Sequence, residues 1–132
     1  MFDTRIRILV VDDMTSMRKL LIKMLKNLGF SDFTEAKDGA IGWQKITHAE
    51  PPIDLIISDL TMPKCSGLDL LRRVRSNSRF KNLPFMIMLI GAEQSKEQEA
   101  IKAGANQCLK KPLRGAALKA QLEDIFTHPD NS

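Results

Sequence analysis

Residues 6–13 read IRILVVDD: an apolar run from Ile6 to Val11, broken only by Arg7 and closed by Asp12 and Asp13. A run this short and this apolar predicts a strand covered on both faces, as in a parallel sheet. The chain repeats the pattern. Phe30 to Ala36 is a weaker strand candidate, and Ile53 to Asp59 a strong one. Phe85 to Ile90, following Pro84, is apolar throughout and suits a central strand, and Gln107 to Lys110 is a short last one.

Helical periods fall between these runs. Met17, Leu20, Leu21, Met24, Leu25 and Leu28 form a stripe ending at Gly29, a C-terminal cap. A turn at Asp38-Gly39 leads into a short helix over Ala40 to Thr47, with Ile41, Trp43 and Ile46 apolar. Leu68, Leu71 and Val74 mark a third helix after Gly67. Ser95 to Ala103 is helical but polar, with only Ala100, Ile101 and Ala103 to face a core, so it is expected to be the loosest helix. Leu118, Leu122, Ile125 and Phe126 define the last helix. Strands alternating with helices predict an α/β fold, a doubly wound parallel sheet of five strands flanked by five helices. Right-handed crossovers put every strand-to-helix loop at the carboxyl edge of the sheet, which is where a site belongs.

The whole chain has 132 residues, with 43% hydrophobic, 27% charged and a formal net charge of +4. That is one ordinary domain, expected over residues 1–127, with 128–132 (HPDNS) as a frayed tail. The composition is too apolar for disorder, and no apolar run approaches the roughly 20 residues of a membrane span. Nor is there a signal-peptide core, which predicts a cytoplasmic protein. Cys65 and Cys108 are isolated and fit reduced thiols better than a disulfide or metal site. Lys and Arg are dispersed and aromatics few, which argues against nucleic-acid binding. Met17, Met24, Met86 and Met88 read as core, Trp43 as packing, and His48 and His128 as solvated.

Three acids end strands at the carboxyl edge: Asp12, Asp13 and Asp59. Two carboxylates about 5 Å apart repel by roughly 3 kcal/mol at an effective dielectric of 20. Three in one crevice call for a cation, and hard oxygen donors suit Mg²⁺ rather than Zn²⁺. Lys111, before Pro112, adds an ammonium near the same place. An acidic loop after the first strand has the wrong sign to cradle a flavin phosphate directly.

The motifs VVDD (10–13), SDLTMP (58–63) with Gly67 beyond, and KKP (110–112) together resemble the receiver domain of two-component response regulators. Met17-Arg18-Lys19, Leu28-Gly29-Phe30 and Asp38-Gly39 point the same way, and the length resembles the single-domain, CheY-type chemotaxis receivers of flavodoxin-like fold. The resemblance implies that Asp59 accepts a phosphoryl group, from a histidine kinase of the CheA type or from a small donor. It further implies that Asp13, with Asp12 acting largely through water, holds Mg²⁺ together with Asp59 and the backbone carbonyl of Thr61, and that Lys111 pairs with phosphoryl oxygens. Such a chain is not an enzyme beyond its own phosphorylation and dephosphorylation. It signals as a monomer through the face of its fourth helix, fifth strand and fifth helix, to a flagellar motor switch protein, and shares kinase and phosphatase partners.

The pattern departs from the family at two positions. The usual Thr or Ser at the end of the fourth strand falls on Leu89, or on Ile90 with a one-residue slide, and the usual fifth-strand aromatic falls on Cys108. With hydroxyl and ring both missing, the readout is expected to use other groups, such as a backbone N–H near Gly91 or Ala92. Two alternatives stand beside motor signalling: a phosphate sink that drains a shared kinase, and an atypical receiver acting as a constitutive interaction module.

Overall fold

A computed structural model describes residues 3–127; the expected tail at 128–132, with His128, lies outside the described residues. The strands are β1 (Arg7–Val11), β2 (Asp32–Ala36), β3 (Leu55–Asp59), β4 (Phe85–Leu89) and β5 (Gln107–Lys110). The helices are α1 (Thr15–Asn27), α2 (Gly39–His48), α3 (Gly67–Ser76), α4 (Glu97–Ala103) and α5 (Gly115–Thr127). All five strands are parallel, in the order β2-β1-β3-β4-β5. This is the doubly wound sheet the sequence predicts. Among the described residues no helix is long and apolar enough to cross a membrane.

Alternation along each strand builds two cores. Leu9, Val11, Ile56, Ile87, Leu89 and Cys108 face α2, α3 and α4 through Ile46, Leu70, Val74 and Ala100. Ile8, Val10, Ile57, Met86, Met88 and Leu109 face α1 and α5 through Leu21, Leu25, Leu118 and Leu122. Because both faces are covered, the strands read as unbroken apolar runs. The order reverses at β1, which has β2 on one side and β3 on the other, so the loops after β1 and β3 open beside each other. That is the crevice where open α/β sheets place their sites.

Several expectations need correction. Leu20 is 44% exposed and Ile22 takes its place in the core, because the buried stripe runs through Leu21, Ile22 and Leu25. Met17 is only half-buried; Met24 is half-buried but packs against the core facing α1 and α5, and Met86 and Met88 are fully buried. Phe30 is buried ahead of β2 rather than within it. Gly39 opens α2 instead of forming a separate turn, with the Asp38 side chain accepting from the Ile41 N–H at 2.9 Å as its N-cap. Gly91–Lys96 is a 3₁₀ segment, so α4 starts at Glu97 and not Ser95. Ile90 lies outside β4 at 46% exposure, and Ile101 points outward at 43%. Only Ala100 of α4 is buried, so this helix has the thinnest anchorage of the five. His48 is exposed but not isolated, its Nδ1 lying 2.9 Å from the Gln44 carbonyl. Trp43 meets Phe80 edge-on at 5.9 Å under the Arg73 guanidinium, a packing role.

Arg75 ties the amino ends of β4 and β5 to α3. Its guanidinium donates to the carbonyls of Gly104, Lys81 and Leu83 and to Asn106 Oδ1, which also accepts from the Phe85 N–H. Fixing where both strands start fixes where they end, at the site.

Candidate functional site

The carboxyl ends of β1, β3 and β5 bring together the residues singled out in the sequence. Asp12 follows β1, its N–H donating to the Ala36 carbonyl at 3.1 Å. Its Oδ1 accepts from the Met14 N–H at 2.9 Å, which fixes the carboxylate at the start of the β1–α1 loop. Asp59 ends β3 in register with Met88, and its Oδ1 accepts from its neighbour's N–H, that of Leu60, at 3.1 Å. The Leu60 N–H also reaches the Met88 carbonyl at 2.9 Å, so β3 stays paired with β4 through the turn. Asp12 is fully buried and Asp59 nearly so, while Asp13 is exposed. Each of the three offers an oxygen within 4.8 Å of the others.

Lys111 closes the cluster from β5. Its backbone N–H donates to the Leu89 carbonyl at 2.8 Å, and the Lys111–Pro112 peptide bond is cis. Its Nζ lies 3.0 Å from Asp59 Oδ1 and 3.5 Å from Asp12 Oδ2. One ammonium thus serves two buried carboxylates, with a third beside them. That deficit of positive charge suits a divalent cation on hard oxygen donors, so the donor set fits Mg²⁺.

The electrostatics express the same deficit. Burial raises the Asp59 carboxyl above its ordinary pKa; the hydrogen bond and charge of Lys111 oppose this, while Asp12 and Glu93 push it further up. Burial alone would lower Lys111, but the bond to Asp59 and the charges of Asp59 and Asp12 outweigh it and hold the ammonium above its usual value. The sign for cation binding follows. Asp59 takes up a proton at a higher pH than an ordinary carboxylate, and each proton competes with the cation. Affinity for Mg²⁺, measured by calorimetry from neutral to acid pH, is therefore expected to begin falling above the ordinary carboxylate range. An affinity flat down to that range would contradict this electrostatic picture.

Thr61 is exposed in the β3–α3 loop, and its hydroxyl donates to Glu93. The other Glu93 oxygen accepts from the Ile90 N–H at 3.0 Å. Ile90 is the first residue after β4. Leu89 and Cys108 are both buried in the core facing α3 and α4. Burial, with Glu97 adding, pushes the Cys108 thiol up to about 11, and burial with Asp69 also raises Cys65, so neither is an activated thiolate.

Sequence reasoning missed two residues here. Arg18 donates to the Asp12 carbonyl at 2.7 Å and to Glu35 at 2.9 Å, holding the β1–α1 loop against β2. Its signal is helical phase, since Arg18 lies on the same side of α1 as Leu21, Ile22 and Leu25. Glu93 carries the acid-at-third-position signature of a helix start, three residues after Ile90.

The residues matched by the family model decide the family: 8–123 fit the response regulator receiver domain. The chain belongs to the response regulator receiver family. This receiver is 37% identical over 120 residues to the chemotaxis protein CheY1 of Helicobacter pylori, covering 91% of this chain and 96% of that one. It is 36% identical over 120 residues to CheY of Pseudomonas aeruginosa, covering 91% and 95%. Among solved structures, the chemotaxis regulator CheY4 of Vibrio cholerae superposes with a TM-score of 0.81 at 30% identity, covering 92% of this chain and 99% of that one. These likenesses place the receiver in CheY-type two-component signalling, and the match is to a signalling domain rather than an enzyme family.

Proposed function

We propose that this receiver takes a phosphoryl group on Asp59 from a histidine kinase of the CheA type and passes the signal on by protein contact. The observation that carries this is the meeting of Asp12, Asp13 and Asp59, with oxygens within 4.8 Å, around the Lys111 ammonium 3.0 Å from Asp59. Asp12, Asp13, Asp59 and the Thr61 carbonyl would hold Mg²⁺. When bound, it neutralises charge on the transferring group. The Asp59 carboxylate attacks phosphorus, and the bond from phosphorus to the donor nitrogen or oxygen breaks, its electron pair leaving with the donor. Lys111 gives up its Asp59 contact to pair with a phosphoryl oxygen. Little more is asked of the protein than position and electrostatics. The receiver is taken to span 1–127, as a cytoplasmic monomer.

Output would leave through α4, β5 and α5, toward a flagellar motor switch protein, with a phosphatase sharing the domain. A cleft of about 650 Å³ on that face, lined by Ile101, Cys108, Lys110, Arg114 and Gln121, supports this reading. Buried Leu89 and Cys108 favour a second one. A receiver without hydroxyl or ring at these positions can serve as a phosphate sink or a constitutive module. Incubation with acetyl phosphate and Mg²⁺ followed by mass spectrometry tests the acceptor: one phosphoryl adduct is expected, and none would overturn the proposal. Binding to a motor-switch peptide with and without beryllofluoride then separates relay, where binding rises with the mimic, from a constitutive module, where it is unchanged. A sink shows no binding in either state.

Leu89→Thr tests the missing hydroxyl. Leu89 is fully buried, so the exchange is expected to cost about 2–3 kcal/mol of stability while changing the lifetime of the acyl phosphate. Ile90→Thr, on an exposed residue outside β4, is expected to leave stability within about 0.5 kcal/mol. An unchanged lifetime in Leu89→Thr, with the variant folded, would show that the hydroxyl does not matter here.

A further inference from the structure

Glu93 is bonded to both loops that border the acid pocket. One carboxylate oxygen accepts from the Thr61 hydroxyl, in the loop after β3. The other accepts from the Ile90 N–H, at the end of β4, at 3.0 Å. Its charge also acts on Asp59, raising that carboxyl. The segment it closes, Gly91–Lys96, leads directly into α4. That helix is held by one buried residue, Ala100, and by side-chain pairs at the surface: Arg72 with Glu99 at 2.9 Å and Lys110 with Glu97 at 3.9 Å. Leu89 offers no hydroxyl to link pocket and helix, and Glu93 bonds both sides of that gap.

We propose that Glu93 is a carboxylate latch, bridging the Thr61 hydroxyl and the Ile90 N–H, which opens when a phosphoryl group on Asp59 repels it. The inference rests on the reading of Asp59 as acceptor. A phosphoryl group on Asp59 adds about one to two negative charges close to the Glu93 carboxylate. Like charges at such range repel, and the latch residue is the one free to leave, since Asp12 is fully buried and Asp59 carries the group. Opening frees the Thr61 hydroxyl and the Ile90 N–H and releases the turn that leads into α4. The signal thereby leaves the pocket through a carboxylate that departs, where related receivers use a hydroxyl that arrives.

Two variants separate charge from bond. Glu93→Gln keeps one oxygen to accept from the Ile90 N–H, offers an N–H that the Thr61 hydroxyl can accept, and removes the charge; Glu93→Ala removes both bond and charge. Beryllofluoride with Mg²⁺ is the probe, its affinity read by calorimetry and amide exchange at Ile90 by NMR. In the wild-type chain, beryllofluoride is expected to speed Ile90 exchange about tenfold, the scale of one lost hydrogen bond to a charged group. In Glu93→Gln it is expected to bind about three- to tenfold tighter at low salt, the gain shrinking as salt is added, while Ile90 stays protected. In Glu93→Ala, Ile90 should exchange fast without the probe. Wild-type exchange behaviour in Glu93→Gln, or unaltered affinity at low salt, would overturn the latch and leave the acceptor reading standing. Failure of the wild-type chain to bind beryllofluoride would overturn both.

Discussion

Asp59→Asn is expected to abolish the phosphoryl adduct formed with acetyl phosphate and Mg²⁺, and to make the metal-free protein more stable. The first effect is chemical: a neutral amide oxygen in the same place is not a nucleophile for phosphorus. The second follows from the deficit of positive charge. Asp59 is 8% exposed and shares one ammonium with Asp12, which is 0% exposed. Removing one partner of a buried ion pair is ordinarily costly, because the other charge is stranded. Here Lys111 keeps Asp12 at 3.5 Å, and the variant loses the repulsion between acids whose oxygens lie within 4.8 Å. A gain of about 1–2 kcal/mol is expected in urea unfolding at neutral pH, less than the full like-charge repulsion because one favourable bond is lost as well.

The pH dependence has a definite sign. A carboxyl whose folded pKa lies above its unfolded one costs stability when ionised, and that cost fades as pH falls through the folded value. The advantage of Asp59→Asn should therefore shrink in mild acid. Lys111, raised in the fold, contributes fully below its unfolded value and loses that contribution as pH rises through the folded one. A variant less stable than wild type at neutral pH would contradict this balance. An adduct persisting in it would place the acceptor elsewhere.

Gly67→Ala is expected to have the largest effect on the fold. A Cβ at Gly67 would stand 2.0 Å from the Asp59 carbonyl oxygen and 3.0 Å from Ser58 Oγ. The first obstacle is backbone, at Asp59 itself. Relief requires moving either the start of α3, whose Gly67 N–H donates to the Leu60 carbonyl at 2.9 Å, or the end of β3 itself. Destabilisation by about 3 kcal/mol or more is expected in denaturant unfolding, with loss of phosphorylation even where the variant stays folded. Gly115→Ala is the control: nothing lies within 4 Å of its added Cβ, and a residue in α5 gains up to about 1 kcal/mol in helix propensity. Equal effects at the two glycines would show that the close approach at Gly67 is not what holds Asp59 in place.

The strands were legible because both sheet faces are covered, so that Ile8 to Val11 and Phe85 to Leu89 carry no polar alternation to confuse the period. The acids were legible because they interrupt those runs where the chain leaves the sheet. Boundaries were less so. Ile90 extends an apolar run beyond the last paired residue, and apolarity cannot mark where pairing stops. Leu20 and Ile22 are equally apolar neighbours, and only the phase set by Leu21 and Leu25 chooses between them. Within the site, Asp12, Asp13, Asp59 and Lys111 are found from motif and topology. The Thr61–Glu93 and Arg18–Asp12 bonds join polar side chains to groups on other elements, which no local pattern specifies. The polar segment before α4, without apolar period, hid both the 3₁₀ turn and the role of Glu93.

The central claim is that Asp12, Asp13 and Asp59 form one divalent-cation site against Lys111. Calorimetric titration of Mg²⁺ into the wild-type chain and into Asp13→Ala tests it most directly, since Asp13 is exposed and its loss leaves the core intact. One ion per chain is expected for the wild type, with the heat lost in the variant. A wild-type chain that binds no Mg²⁺, or an Asp13→Ala variant that binds it undiminished, would contradict the account.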